Sequence, residues 1–168
     1  MTLRVIKMVP AACLRAKSLP VETVNDQIKA LADDMLETMY HAPGIGLAAN
    51  QIGVMKRLFV LDIANRDVGL FEPRVFINPE ITWFSKEIKT SLEGCLSIPS
   101  IEEDIERSAK IHVSFLNKEG EQEELEAEGK LAVCIQHEVD HLNGILFIDY
   151  LGALKRNKIL NDVYQNIK

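Results

Sequence analysis

His137-Glu138-Val139-Asp140-His141 is the stretch of this sequence that predicts a metal-binding helix. On an α-helix, residues four positions apart lie on one face, so His137 and His141 can reach a single ion. Glu138 lies roughly 100° around the helix from His137, close to that ion without being forced to bind it. A hydrolytic metal site needs ligands and a base that takes a proton from water, and this pattern offers both.

The flanking residues favour a buried helix over a surface helix with solvated histidines. Leu131-Ala132-Val133-Cys134-Ile135 precedes the motif and Leu142 follows it, so the helix is apolar on nearly all sides. Burying two histidines and a glutamate without partners costs free energy, and a bound cation is the common remedy. We predict a helix that begins near Gly129 and is ended by Gly144 in the left-handed conformation.

The composition predicts one globular domain. The chain has 168 residues, of which 47% are apolar and 26% charged, with a net charge of −6. The acidic excess is concentrated in residues 101–129, which contain ten acidic and three basic side chains. This charge balance argues against a broad nucleic-acid-binding surface or direct nucleic-acid specificity.

The cysteine count and the hydropathy predict a cytoplasmic protein that does not bind a membrane. Cys13, Cys95 and Cys134 are odd in number and widely spaced, as is typical of reduced thiols. No apolar run approaches the ~20 residues that are needed to cross a bilayer. The N-terminus also lacks the apolar core of a signal peptide.

The hydrophobic periodicity predicts an α+β fold with antiparallel strands. Apolar residues recur every three or four positions over 24–40, which indicates an amphipathic helix capped by Asn25 or Thr23. A mixed, partly basic helix is predicted at 154–165. Strands are predicted at 57–63, 75–77, 81–84, 111–115, near 121–128 after a turn at 118–120, and at 146–148. Blocks of strands between helices favour antiparallel sheets over repeated βαβ units.

The third metal ligand is predicted upstream of the helix. Catalytic zinc sites usually have three protein ligands and one open position. After His141 the chain contains no further histidine, and after Glu138 it contains no further glutamate. The downstream stretch offers only Asp140, Asp149 and Asp162. Cys95, in the stretch Glu93-Gly94-Cys95-Leu96-Ser97-Ile98-Pro99, is the better donor, because a nearby cation stabilises a thiolate. We predict a shaped loop there, the alternative being a small cysteine in a core strand.

Three stretches resemble the signature motifs of peptide deformylases, in order and at similar spacing. They are Gly44-Ile45-Gly46-Leu47-Ala48-Ala49-Asn50-Gln51, Glu93-Gly94-Cys95-Leu96-Ser97 and Gln136-His137-Glu138-Val139-Asp140-His141. The resemblance covers essentially the whole chain, including Asn78-Pro79 and residues 146–150. It implies a single catalytic domain over residues 1–168, with antiparallel sheets packed around a central metal-binding helix and with an N-terminal and a C-terminal helix.

The resemblance also implies an activity and a set of roles. Cys95, His137 and His141 would bind one divalent ion, generally Fe²⁺ in this family, with Zn²⁺ and Ni²⁺ forms known. Glu138 would be the general base and then the acid, and the Gln51 amide with the Leu96 backbone N–H would form the oxyanion hole. Such enzymes remove the formyl group from the N-terminal formyl-methionine of nascent chains and release formate.

An extended peptide substrate is expected to lie along the glycine-bearing motifs. Gly44 and Gly46 let a peptide backbone approach closely, and such a peptide can pair with a sheet edge. The residues expected to bind substrate are Gly44, Ile45, Gly46, Leu92, Glu93, Gly94, Val133 and Cys134. Of these, Ile45, Leu92, Val133 and Cys134 are the candidates for the apolar pocket that takes the methionine side chain.

Two positions depart from the family pattern. Many bacterial members have an arginine a few residues after the segment that corresponds to Ile98-Pro99, whereas this chain has an acidic patch that includes Glu102. Family members usually have an apolar residue after the glycine at position 129, whereas this chain has Lys130. We expect weaker binding of acidic peptides here than in relatives with the arginine.

Three further hypotheses concern partners and alternative functions. The basic terminal helix, with Lys155, Arg156 and Lys158, is a candidate for docking on the ribosome. A metalloprotease of the two-histidine helix type is the enzymatic alternative, and the missing downstream ligand argues against it. A catalytically silent metal-binding or ribosome-associated paralogue would be expected to lack Glu138 or Gln51, and both are present.

Overall fold

The computed structural model of the chain describes residues 1–167, and the side chains of residues 1–166. The described residues form helices α1 (Asp26–His41), α2 (Gly129–Leu142) and α3 (Ala153–Ile167), and strands β1 (Gly46–Ala48), β2 (Leu58–Leu61), β3 (Arg74–Phe84), β4 (Ile88–Cys95), β5 (Ile98–Ser108), β6 (Lys110–Leu116) and β7 (Gln122–Glu128). Single 3₁₀ turns lie at Ala12–Arg15, Ala49–Ile52, Arg66–Val68 and Phe147–Tyr150. None of the described helices is long and apolar enough to cross a membrane.

The strands form two antiparallel sheets, which confirms the predicted α+β class. The larger sheet has five strands in the order β1-β2-β3-β6-β7, and the smaller sheet is the β4-β5 hairpin. The predicted turn at 118–120 joins β6 to the acidic strand β7, as expected. Strand β1 lies at one edge of the larger sheet.

Helices cover both faces of the larger sheet, and this is why strand β2 is completely buried. Successive side chains of a strand point to opposite faces. Leu58 and Val60 pack in a core with α1, whereas Phe59 and Leu61 pack in a second core with α2. Helices α1 and α2 are therefore separated by a single layer of sheet.

Helix α1 is confirmed, and its cap is Asn25. The side chain of Asn25 accepts a hydrogen bond from the backbone N–H of Ile28 at 3.0 Å. This satisfies one of the free N–H groups at the helix start. The apolar residues predicted to share one face, such as Met35 and Met39, are fully buried.

The prediction of two strands at 75–77 and 81–84 was wrong, because both belong to strand β3. The strand bends at Asn78, whose φ of 50° is left-handed, and the pairing with β6 shifts between Ile77 and Glu80. The Asn78 side chain accepts from the N–H of Val21 and donates to its carbonyl oxygen, both at 2.8 Å. In the sequence, a local bend that is stabilised by side-chain hydrogen bonds is therefore indistinguishable from a break between two strands.

The short strand predicted at 146–148 was also wrong. Residues Phe147–Tyr150 form a 3₁₀ turn, in which the Asp149 carboxylate accepts a hydrogen bond from the N–H of Leu146 at 3.0 Å. Phe147 and Ile148 are buried in a third core, between the β4-β5 hairpin and α3. These residues are apolar because they are buried. An apolar run of only three residues fits a buried turn as well as a strand.

The segment around Cys95 differs from the predicted loop as well. Cys95 is the last residue of β4, and Leu96 and Ser97 form a tight connection to β5. The pairing register shifts between Gly94 and Cys95. The cysteine is therefore presented by the tip of a hairpin, which is a more rigid support than a loop.

The metal-binding helix begins and ends close to the predicted glycines. Gly129, the first residue of α2, has a φ of 61°, and Gly144 beyond its end has a φ of 75°. A Cβ at Gly144 would lie 2.5 Å from the carbonyl oxygen of Arg15. Both the left-handed backbone and the lack of space therefore require glycine at position 144.

A buried arginine ties the hairpin to the metal-binding helix. Arg107 of β5 donates to both carboxylate oxygens of Glu93 on β4, at 2.8 and 2.9 Å, and to Asp140 on α2 at 2.6 Å. Its guanidinium lies over the ring of Tyr150, 4.8 Å from the centroid. The side chains of Arg107 and Glu93 are each only 4% exposed. Two charges in such an environment are tolerated only because they are paired and hydrogen-bonded.

Substituting Arg107→Met is predicted to destabilise the fold strongly, because it leaves Glu93 buried without its charge partner. We expect a loss of about 3–5 kcal/mol in the free energy of unfolding, measured by urea denaturation at fixed metal concentration. Arg15→Met is the matched control, since the ion pair of Arg15 with Asp149 is largely exposed and should contribute at most about 1 kcal/mol. Equal losses in the two variants would contradict the role given to Arg107.

Candidate metal centre

Helix α2 places its two histidine rings against each other, as the spacing predicted. The Nε2 atoms of His137 and His141 are 3.2 Å apart, and their ring centroids are 4.9 Å apart. The ring of Phe147 stacks on the imidazole of His137, with the two centroids 6.1 Å apart. Both imidazoles therefore direct their Nε2 atoms toward one point, where a single ion could bind.

The hairpin tip brings the thiol of Cys95 to this pair. Its Sγ is 3.3 Å from the Nε2 of His141, and the ligand atoms of the three residues all lie within 4.8 Å of one another. Tetrahedral coordination with bonds of about 2.0–2.3 Å separates neighbouring ligand atoms by roughly 3.3–3.6 Å. One thiol and two imidazoles at these distances fit a single divalent transition-metal ion.

Glu93 fixes the orientation of His137. Its Oε1 lies 2.9 Å from the His137 Nδ1, and its other contacts are with Arg107. Burial alone would raise the pKa of Glu93, but the hydrogen bonds from Arg107 and His137 outweigh it and lower the pKa to about 2. Because a carboxylate only accepts, the Nδ1 of His137 must carry the proton, which leaves Nε2 free for a cation.

Glu93 was expected to bind substrate, and its carboxylate is engaged by Arg107 and His137. The residue borders the cleft, but it is only 5% exposed, and both oxygens are engaged with Arg107 and His137. The geometry gives Glu93 a positioning role behind the ligand. The spacing of the two histidines on their helix does not show which carboxylate from another element will form a hydrogen bond to one of them.

The two histidines differ in how readily they hold a proton. Burial opposes the charged form of His137, but its bonds to Cys95 and Glu93 prevail and raise its pKa to about 10. Burial and the neighbouring charge of His137 lower the pKa of His141 below its ordinary value. The Nδ1 of His141 is buried without a hydrogen-bond partner among the described residues. A cation bound here would displace a proton from His137, whereas His141 would already be neutral.

Glu138 lies beside the ligand atoms and has one oxygen with no partner. The residue is 3% exposed, and its Oε2 makes no hydrogen bond among the described residues. Burial raises the pKa of Glu138 to about 7. A Cβ at Gly46 would lie 2.5 Å from the Glu138 Oε1, so only glycine leaves room for the carboxylate. A carboxyl group that titrates near neutrality is suited to proton transfer.

The Gln51 side chain is oriented by its own turn. Its Oε1 accepts from the N–H of Ala48 at 2.8 Å, so its NH₂ group points toward the hairpin tip. That group donates to the Ser97 Oγ at 3.1 Å and lies 3.6 Å from the Cys95 Sγ. Leu96, the other residue expected in the oxyanion hole, follows Cys95 directly. Both residues line the cleft beside Cys95.

A cleft of about 1300 Å³ runs past this centre. It is lined by Cys95, His137, Glu138, Gln51, Leu96 and every residue expected to bind substrate: Gly44, Ile45, Gly46, Leu92, Glu93, Gly94, Val133 and Cys134. Glu102 and Lys130, the two positions that depart from the family pattern, also line it. All the predicted site residues except His141 thus line one cleft, and His141 lies behind it against Cys95 and His137.

The sequence did not identify several supporting residues. Arg107 was counted only as one of three bases in an acidic stretch, and its contacts depend on which strands pair. Asn50 donates to the carbonyl oxygen of His141, and Ser97 positions Gln51. Tyr150 donates to Asp140 at 2.7 Å. These partners become visible only once the hairpin, the 3₁₀ turn and α2 are placed side by side.

Comparison with known proteins agrees with the geometry. Residues 3–157 match the family model described as polypeptide deformylase. A peptide deformylase of Phenylobacterium zucineum is 52% identical over the whole chain and 99% of its own length, and one of Bartonella henselae is 48% identical over 100% of this chain and 95% of its own. The similarity therefore extends over the full length of both.

Solved structures are similar over the same extent. The peptide deformylase of Ehrlichia chaffeensis in complex with actinonin has a TM-score of 0.94 at 40% identity, over 99% of this chain and 98% of that one. A peptide deformylase of Legionella pneumophila has a TM-score of 0.90 at 41% identity, over 98% and 95% of the two chains. With its three motifs gathered at one centre, this chain belongs to the peptide deformylase family, whose members are hydrolases that remove the N-formyl group from nascent peptides.

Proposed function

We propose that this chain removes the formyl group from the N-terminal formyl-methionine of newly synthesised polypeptides by means of one divalent cation held by Cys95, His137 and His141. The observation that carries this proposal is the convergence of one thiol and two imidazole nitrogens beside the buried, unpaired carboxyl of Glu138. The products are formate and a free amino terminus.

The ion in the cell is proposed to be Fe²⁺, with Zn²⁺ or Ni²⁺ able to replace it. Thiolate and imidazole ligands suit all three ions. When bound, the cation supplies Lewis acidity toward the formyl oxygen and makes water easier to deprotonate. The proton on the His137 Nδ1, held by Glu93, keeps the coordinating nitrogen of that ring directed at the ion.

Glu138 is proposed to carry the proton through the reaction. Its carboxylate takes a proton from the attacking water, and the same group then gives that proton to the departing amine nitrogen. A pKa near 7 is suited to both steps, because the group is available in either form at neutral pH. The carboxyl does not need to ligate the ion to act in this way.

The Gln51 amide and the Leu96 backbone N–H are proposed to stabilise the oxyanion. The Gln51 NH₂ group is already oriented by the Ala48 N–H and the Ser97 hydroxyl, so it costs little to reorganise during the reaction. Donors fixed in advance at the position where charge develops give the largest electrostatic gain, and loss of one typically costs about 10²–10³ in rate.

The peptide is proposed to bind as an added strand beside β1. That strand lies at the edge of the larger sheet, and the hairpin carrying Gly94 lines the other side of the cleft. An extended peptide between them could use its main chain for hydrogen bonds. Its first side chain would enter the pocket bounded by Ile45, Val133 and Cys134, with Leu92 at the rim.

The alternative functions find less support. A protease of the two-histidine type takes its third ligand from downstream, whereas here the third ligand candidate is on the upstream hairpin. A silent paralogue is disfavoured because Glu138 and Gln51 are both present and both lie in the cleft. We propose the cytoplasm as the place of action, since nascent chains emerge there and the three cysteines are unpaired.

Glu138→Ala is predicted to abolish turnover and to retain the metal, because the carboxylate carries a proton and is not a ligand. We expect formate release from formyl-Met-Ala-Ser to fall by at least about 10²-fold under anaerobic conditions, with unchanged metal content by atomic emission spectroscopy. Cys95→Ala is the contrasting variant, which should lose both the activity and the metal. Absence of formate from the Fe²⁺- or Ni²⁺-loaded parent protein would overturn the proposed function itself.

Glu102 is predicted to disfavour acidic residues near the start of the peptide. Its Oε1 lies 3.9 Å from the position of a Cβ at Gly94, which is beside the proposed peptide path. At low salt we expect kcat/KM to be about two- to fivefold higher for formyl-Met-Ala-Lys than for formyl-Met-Ala-Asp, with the order reversed in Glu102→Arg. Glu106→Arg, on the same strand but outside the cleft, is the control. Equal efficiencies for the two peptides would sink this prediction.

Ribosome docking through α3 is proposed as a second role of the terminal helix. Truncation cannot test it, because Ile159 and Val163 of α3 are buried in the third core. We predict that Arg156→Glu/Lys158→Glu lowers co-sedimentation with ribosomes, since it reverses two cations that could meet ribosomal phosphates. Lys17→Glu/Lys86→Glu gives the same charge change away from α3. Unchanged co-sedimentation in the first variant would remove the docking hypothesis.

A further inference from the structure

One arm of the cleft runs from the metal centre along the first two turns of α2. Its helical wall is formed by Lys130, Val133, Cys134 and His137, which are spaced so that they share one face. The opposite wall is strand β4, where Lys89, Ser91 and Glu93 alternate and so lie on one side of the hairpin. The helical wall therefore runs from the ligand His137 to Lys130, and the wall on β4 runs from Glu93 to Lys89.

The floor and the far end of this arm differ in chemistry. Val133 and Cys134 are apolar, and the Cys134 thiol is buried, which raises its pKa well above the ordinary value. The ammonium group of Lys130 is near enough to oppose that rise. Lys89 and Lys130 are exposed and have neither an ion pair nor a hydrogen bond among the described residues. The arm thus combines an apolar floor with a cationic end.

Ser91 adds a donor that has no partner. Its Oγ is buried, and it forms no hydrogen bond within the part of the chain that the structure describes. A buried hydroxyl without a partner is costly unless water or a ligand satisfies it. Ser91 and Lys130 line the same cleft, so both donors are available to an acceptor on a side chain that enters it.

The proposed function already places the first side chain of the peptide against Val133 and Cys134. We propose that Lys130 and Ser91 donate hydrogen bonds to an acceptor at the end of that side chain, so that the enzyme also deformylates peptides that begin with formyl-methionine sulfoxide. This inference rests on the proposed function and deepens it by extending the substrate class. Oxidation adds a strongly accepting oxygen to the methionine side chain. The bond that breaks, the water consumed and the formate released are those of the unmodified substrate.

The physical argument compares two pockets for this oxygen. In a wholly apolar pocket the sulfoxide would lose its water and gain no donor, which is unfavourable. Here the methylene groups can lie on Val133 and Cys134, while the oxygen meets an ammonium and a hydroxyl that have no other partners. Hydrogen bonds to a charged donor are among the stronger ones in proteins.

The test compares formyl-Met-Ala-Ser with its sulfoxide by formate release from the metal-loaded enzyme. For the parent protein we expect kcat/KM values within about tenfold of each other. Lys130→Met and Ser91→Ala should each lower the sulfoxide-to-thioether ratio, the first by about tenfold and the second by several-fold. Lys130→Arg keeps a cationic donor and should keep most of the ratio. Lys86→Met, which removes a lysine outside the cleft, should leave the ratio as in the parent.

The outcomes separate this inference from the proposed function. The inference would be overturned if the parent protein turned over formyl-Met-Ala-Ser but had a kcat/KM more than about 100-fold lower for its sulfoxide. That result would leave the proposed deformylase function standing. A ratio unaffected by both Lys130→Met and Ser91→Ala would do the same. No turnover of either peptide would instead contradict the proposed function. Because a ratio cancels the fraction of active enzyme, a partly unfolded variant still gives a valid result.

Discussion

The ion pair between Arg107 and Glu93 is the interaction on which the metal centre depends. The thiol comes from a two-stranded hairpin and the imidazoles come from a helix, and the two elements belong to different layers of the fold. Arg107 joins them by contacting Glu93 on β4 and Asp140 on α2 at once. A set of ligands drawn from separate elements must be held to a few tenths of an ångström, and a paired, buried guanidinium supplies that rigidity.

The same pair also decides the electronic state of a ligand. The carboxylate of Glu93 remains ionised because Arg107 stabilises it. An ionised carboxylate can only accept a hydrogen bond, so the Nδ1 of His137 must carry the proton and donate it. The electrostatics of the hairpin are therefore transmitted to the ion through one imidazole ring. A mutation at Arg107 is therefore expected to affect both the stability of the fold and the orientation of a ligand, although the arginine does not line the cleft.

The ligand set could be predicted from the sequence, because each of its members follows from local chemistry. The spacing of His137 and His141 fixes their common face, and the absence of a donor downstream pointed to Cys95. Arg107 could not be found in the same way, since its partners lie 14 and 33 positions away and depend on strand pairing. Residues 146–148 were misassigned because three apolar residues fit a strand and a packed turn equally well.

The position of β1 at the edge of its sheet has a consequence for timing. A peptide that adds to this edge must offer a free, extended segment, so its first residues cannot already be part of a helix or sheet of their own. If the peptide binds in this way, as proposed, access to the enzyme competes with the folding of the substrate. An amino terminus would then have to be processed after it leaves the ribosomal tunnel and before its first residues become buried.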